Sequence, residues 1–340
     1  MSLDLQFIAV AVIAGAVLLY VVLDGFDLGV GILFPLARNS DERDLMMSAI
    51  APYWDGNETW LVLGGGGMFA LFPTAYAILM PAFYLPVMLM LLALILRGVA
   101  FEFRLHGRRR SKPFWTAAFT VGSLTATFAQ GLVVGGFVQG VKVANHAFAG
   151  HTLDWATPYS VLTTLGLIAG YALLGAAWLL IKTQGALHHD ARRWVTISAV
   201  AVAALLAATS VATLILHPQI GASWGVSAGG VDLATLEPRL AIPLLGAAGL
   251  AIVFVGLWRR SQVTPFVGAV IVFLSGYLGL AASFFPYIVP YTVDFRQAAN
   301  APNALALVLA GVAVLAPFIL GYTGFVYWLF RGKVAHGAYH

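Results

Sequence analysis

The run Phe7–Leu36, FIAVAVIAGAVLLYVVLDGFDLGVGILFPL, has no charged residue in its first seventeen positions and then carries Asp24 and Asp27 within the same apolar stretch. About 20 helical residues, rising 1.5 Å each, cross a bilayer core of about 30 Å. The run is long enough to span a membrane, and its two aspartates fall in its second half. Ala14-Gly15-Ala16 are small enough to raise the question of signal cleavage. The residues before them include Asp4 and no Lys or Arg, so the basic segment of a signal peptide is missing. A retained span is expected.

Outward from this stretch, eight more apolar runs follow at about 55–78, 81–103, 114–138, 158–182, 193–216, 241–257, 262–288 and 304–329. They lack the alternation of outer-membrane barrel strands, so they read as helices. The composition agrees. Of 340 residues 61% are hydrophobic and 9% charged, against about 25% charged in a soluble domain, and the mean hydropathy is +0.90. A cytosolic enzyme, a disordered chain and a nucleic-acid-binding module are excluded, and no nucleic-acid partner is expected. With no cysteine, disulfides, thiolate zinc sites, iron–sulfur clusters and a cysteine nucleophile are excluded too. The expected fold class is an all-α integral membrane protein of about nine transmembrane helices, a single polytopic domain over 1–340.

Lysine and arginine set the expected orientation. One set of connections holds Arg38 and Arg43; Arg104, Arg108, Arg109, Arg110 and Lys112; Lys182, Arg192 and Arg193; Arg259 and Arg260; and Arg331 and Lys333. The other set holds only Lys142, Arg239 and Arg296, while Arg97 lies inside a run. Fourteen against three, in strict alternation, puts the rich set in the cytoplasm, the N-terminus in the periplasm and the C-terminus inside.

Charge within a bilayer is costly and marks a site by default. Asp24 and Asp27 share a helix face, Asp55 and Glu58 open the second run with the same spacing, and Arg97 and Glu102 close the third. All six are expected to converge in the cytoplasmic half of the first three spans. Capping explains Asp55 as well, and snorkelling explains Arg97 as well. Aspartate is too short for that, and neighbouring carboxylates withdrawn from water favour holding or passing a proton. Gly64–Gly67 and the Gly25-x-x-x-Gly29 spacing followed by Gly31 read as close helix packing or a local break; no phosphate loop is present. His106, His146, His151, His188, His189, His336 and His340 fall in connections or tails and His217 at a span end, so no haem ligand and no metal site is expected here. Met68, Met88 and Met90 read as packing, and Trp54 and Trp60 as core beside the acids.

Three ordered blocks, Asp24-Gly-Phe-Asp-Leu-Gly-Val-Gly31, Ala51-Pro-Tyr-Trp-Asp-Gly-Asn-Glu-Thr-Trp60 and Arg97-Gly-Val-Ala-Phe-Glu-Phe-Arg104, resemble subunit II of the cytochrome bd-type quinol oxidases. Short loops and overall length are closer to the cyanide-insensitive branch. The resemblance implies a terminal oxidase of the bacterial inner membrane that oxidises quinol and reduces oxygen to water. It implies two four-helix bundles, about 1–140 and 155–290, and a peripheral last helix over 304–329. Haems b and d would sit in subunit I, the partner. Some members hold a structural quinone in subunit II, and a small accessory subunit, quinol and lipid are further expected contacts. Asp24, Asp27, Asp55 and Glu102 match the family's acidic positions and Arg97 its basic one, as a proton path, whereas Glu58 departs from members with an amide there. A proton-coupled secondary transporter is the alternative from another class; it would require paired broken helices in an inverted repeat, a pattern the sequence does not display. A pure scaffold is a third reading.

Overall fold

The structure, a computed structural model, describes residues 4–107, 110–227 and 230–334; Arg108, Arg109, His336 and His340 lie outside the described residues, as does the side chain of His106. The described residues are mainly helical: α1 (Leu5–Leu33), α2 (Ser40–Ser48), α3 (Trp54–Leu71), α4 (Pro73–Ala82), α5 (Tyr84–His106), α6 (Lys112–Gln139), α7 (Pro158–Lys182), α8 (Gly185–Leu216), α9 (Pro218–Ser223), α10 (Leu233–Arg239), α11 (Ala241–Trp258), α12 (Thr264–Phe284), α13 (Phe295–Ala298) and α14 (Pro302–Leu329). Three short antiparallel hairpins, led by Val143, Val226 and Tyr287, decorate one end.

Eight helices among the described residues are long and apolar enough to cross a membrane. The run expected at 55–78 is divided: α3 stops at Leu71 and α4 begins at Pro73. Proline has no N–H to give and is at home in a helix's first turn, which locates the interruption there. Gly64–Gly67 cause no break and lie within continuous α3. A Cβ on Gly67 would come within 2.6 Å of Ile13 Cδ1, so that residue lets α1 and α3 close up.

Without a hydrophobic drive between helices in lipid, close approach and buried polar contacts decide which helices meet. Here α1 is the central element, packed on α3, α6 and α7, while α5 packs on α6 and α11 on α12. Gly29 of α1 meets Gly175 of α7 almost backbone to backbone. A Cβ on Gly29 would lie 1.8 Å from Tyr171 O, and one on Gly175 2.4 Å from Gly29 C. Gly122 lets α6 lie equally close on α5, because its Cβ would sit 2.9 Å from Arg97 N. The main apolar core runs through these contacts, with Phe26, Leu28, Phe34, Phe119, Leu173 and Trp178 buried in it.

Candidate functional site

The last third of α1, the first turns of α3 and the second half of α5 meet at the arginine- and lysine-rich end. Asp24 and Asp27 are each 0% exposed, Asn57 1% and Arg97 2%. Arg97 Nη1 donates to Asp24 Oδ1 at 2.7 Å and Nη2 to Glu58 Oε2 at 3.1 Å, so one guanidinium joins α1 to α3. Asn57 Nδ2 donates to Asp27 Oδ2 at 2.7 Å and to Leu23 O at 3.2 Å. Adjacent positions on α3 thus face different partners: Glu58 meets Arg97, and Asn57 meets Asp27. The Tyr327 hydroxyl of α14 donates to Asn57 Oδ1 at 2.9 Å, which fixes the amide's orientation.

Fully buried ions persist where they are paired and hydrogen-bonded. The arrangement is only partly satisfied by protein. Asp24 Oδ2 and Asp27 Oδ1 receive no hydrogen bond from a described residue, nor does the buried Trp60 Nε1 give one. One turn before Asp24, the Tyr20 hydroxyl accepts from Gln130 Nε2 at 2.8 Å, and Gln130 Oε1 accepts from Tyr171 at 2.8 Å. Polar groups therefore extend from the acids into the apolar middle of α1, α6 and α7.

Four of the six expected residues come together: Asp24, Asp27, Glu58 and Arg97. Asp55 and Glu102 lie at exposed positions instead of being buried with them. Asp55 is not the cap of α3 either. Tyr53 occupies that position, and Asp55 lies in the first turn, where a carboxylate is favoured by the helix dipole. Arg97 does not snorkel; its guanidinium is held inward by Asp24 and Glu58. Trp60 is buried against Ala16 and Tyr20, and Trp54 packs on Phe101 with ring centroids 5.2 Å apart. Sequence reasoning missed Asn57, although it stands inside the second block as an amide beside an acid. It also missed Tyr20, Gln130, Tyr171 and Tyr327, for which a tyrosine or glutamine in a long span offers little signal.

A second charged cluster lies at the membrane boundary. Arg104 donates to Asp44 and, from Nε, to Thr116 Oγ1 at 2.9 Å, while Lys112 Nζ donates to Asp44 Oδ2 at 3.1 Å. Partial burial pushes the Asp44 carboxyl up, but the hydrogen bonds and charges of Arg104 and Lys112 outweigh it and hold the group below the usual carboxylate range.

The histidines whose surroundings are described sit in the loop after α6 (His146, His151), at the start of α8 (His188, His189) and just beyond its end (His217). Among the described residues no group of three or more His, Asp or Glu could hold a metal. This placement does not suit a haem ligand buried at mid-membrane.

The family model described as cytochrome bd terminal oxidase subunit II matches residues 5–330. The chain is 29% identical to cytochrome bd ubiquinol oxidase subunit 2 of Bacillus subtilis, across 98% of this chain and 97% of that one. Against cytochrome bd-I ubiquinol oxidase subunit 2 of Escherichia coli strain K12 the identity is 27%, over 93% and 91%. In fold it is similar to a chain of the bd oxidase from Geobacillus thermodenitrificans, with a TM-score of 0.76, 16% identity, and coverage of 97% of this chain and 100% of that chain. With two buried acids on α1, an arginine that joins one of them to a partly buried acid on α3 and a family match over nearly its whole length, this chain belongs to the cytochrome bd terminal oxidase subunit II family, as a multi-pass component of a quinol oxidase in the bacterial inner membrane.

Proposed function

We propose that this subunit completes the membrane scaffold around a haem-bearing subunit I and leads protons from the cytoplasm toward the oxygen-reducing site. The path enters at Asp55, passes Glu58 and Arg97 and reaches Asp24 and Asp27, with Glu102 beside its mouth. One observation carries this reading: exposure falls stepwise along the line. Asp55 is exposed, the Glu58 side chain is 26% exposed and Asp24 is 0% exposed. Reducing oxygen to water consumes protons, and a site walled off by lipid needs carboxylates close enough to hand them inward. Asp24 Oδ2 and Asp27 Oδ1 are the acceptor atoms left for that traffic.

In this reading α3 and α4 together make one crossing, giving nine, with the N-terminus periplasmic and the C-terminus cytoplasmic. Alternation of basic residues supports it. Helices up to α6 form the first bundle, those from α7 to α12 the second, and α14 stands at the edge, in keeping with its largely exposed surface. Haems b and d belong to subunit I, in line with where this chain keeps its histidines. Outward-facing apolar side chains such as Val62, Leu92 and Ile95 suit contact with subunit I, lipid, a structural quinone or a small accessory subunit. The transporter alternative is not favoured, since the family match runs across the chain.

Substitution Asp55→Asn in the purified complex tests the entry point. Oxygen consumption driven by quinol is expected to slow while the haem spectrum survives. Unchanged turnover removes Asp55 from the path, and a lost spectrum assigns it to assembly.

A further inference from the structure

The C-terminal ends of α7 and α14 exchange caps. A helix ends with carbonyls that lack partners and carry the negative end of its dipole, so a lysine ammonium there is favourable. Lys182, the last residue of α7 and 2% exposed, sends its ammonium to the other helix: it donates to Phe330 O, the C-cap of α14, and reaches Gly332 O at 3.5 Å. Lys333, just past α14, does the reverse, donating to Leu180 O at 3.0 Å and Thr183 O at 3.1 Å at the end of α7. Val334 N–H closes the loop on Lys182 O at 2.9 Å. Among the described residues both ammonium groups are satisfied by neutral oxygens rather than carboxylates.

The exchange reaches the acid network through aromatic residues. Lys182 Nζ also donates to the Tyr53 hydroxyl at 2.8 Å and lies 5.0 Å from the centroids of both the Tyr53 and Trp178 rings. Tyr53 in turn donates to Phe330 O at 2.9 Å and packs on Tyr327, ring centroids 4.5 Å apart. Tyr327 is the residue that holds Asn57, and Asn57 holds Asp27. Most of α14 is exposed along its length, so its angle near residue 327 is set where it is tied down.

We infer that Lys182 and Lys333 form a reciprocal clasp that fixes the end of α14 and so positions Tyr327, Asn57 and the Asp27 carboxylate. The two lysines are positioning residues, and the functional half of the inference rests on the proton-path reading above. The clasp is one unit: opening either side frees the same helix end.

The test uses the whole purified complex with Lys182→Met, Lys333→Met, the double variant of these two, Lys182→Arg, Tyr327→Phe, Lys182→Met combined with Tyr327→Phe, and Asp27→Asn. Hydrogen exchange of the segment 326–334 reads the clasp, and quinol-driven oxygen consumption reads the positioning. Exchange is expected to rise in both methionine variants and to stay at the native level in Tyr327→Phe. Turnover is expected to fall by about two- to tenfold in each methionine variant, the range of one lost hydrogen bond, with KM for quinol and the haem spectrum kept. The double variant is expected to be no slower than either single, methionine at 182 to add nothing to Tyr327→Phe, and Lys182→Arg to restore much of the rate. Native exchange in both methionine variants overturns the clasp. Raised exchange with full turnover, where Tyr327→Phe is slow, overturns the positioning role, as do additive losses. If Tyr327→Phe and Asp27→Asn both turn over at the native rate, the proton path fails, and exchange alone then decides the clasp.

Discussion

Arg97 and Arg104 stand two turns apart on α5, and both are buried, yet they sit in different chemistry. Arg104 is at the membrane boundary, where its partners are saturated: Asp44, itself also bonded to Lys112, and Thr116, with the guanidinium 5.1 Å from the Phe34 ring centroid. Asp44 keeps a side-chain exposure of 38%, so water shares its charge. Arg97 lies deeper, between Asp24 and Glu58, and leaves Asp24 Oδ2 unsatisfied. The boundary cluster is a staple between α2, α5 and α6. The deep one withholds a complete set of partners from its acids, a costly arrangement that suits a site rather than a joint.

Four measurements sharpen or break that contrast. The largest effect is expected for Arg97→Gln. Removing one partner of a buried pair costs about 3–5 kcal/mol because the remaining charge is stranded. The thermal midpoint of the complex, followed by haem absorbance, should fall furthest of all. Adding Asp24→Asn should recover much of the stability without recovering turnover; a midpoint near the native one in Arg97→Gln alone would sink the claim that the deep pair is buried in the assembly.

Next is Asp27→Asn, which keeps the shape and a partner for Asn57. Turnover is expected to drop roughly tenfold, within what a proton-handling carboxylate supplies, with an unaltered haem spectrum; stopped oxygen-electrode traces would settle it. Arg104→Met comes third, costing about 1–3 kcal/mol as the boundary hydrogen bonds go, with turnover per assembled complex unchanged. A slowed rate there would erase the distinction between staple and site.

The smallest effect concerns pH. Because Asp44 is held below its ordinary value of 3.8 in the folded protein, its contribution is complete above that value and is lost as pH falls through the lower folded one. Acid unfolding profiles of native and Asp44→Asn complexes should therefore converge at the acid end. Parallel profiles would mean that Asp44 titrates alike folded and unfolded.

Much of this was legible in the residues. Long uncharged runs fixed the helices, and the rarity of intramembrane charge singled out Asp24, Asp27, Glu58 and Arg97. The one position that broke the family pattern, Glu58, turned out to hold Arg97 directly. Asp55 and Glu102 shared the spacing rule with the buried acids but not their surroundings, because spacing gives the face of one helix and says nothing about which helix stands opposite. The interruption after Leu71 escaped for a different reason: apolar residues continue through it, and only Pro73 signals that the backbone stops and restarts.

Hydropathy, basic alternation and the three motif blocks are properties of the chain read in order, so the sequence by itself determined a multi-pass helical membrane subunit with ionisable groups in its early spans. The partnerships of those groups depend on how closely helices cross. Gly29 against Gly175 sets the approach of α1 and α7, Gly122 against Arg97 that of α6 and α5, and Gly67 against Ile13 that of α3 and α1. In that packing Asn57 reaches both Asp27 and Tyr327, a residue 270 positions away. Only the tertiary structure decided that, because in lipid the preference of one helix for another resides in backbone approach and a few buried hydrogen bonds that no local pattern encodes.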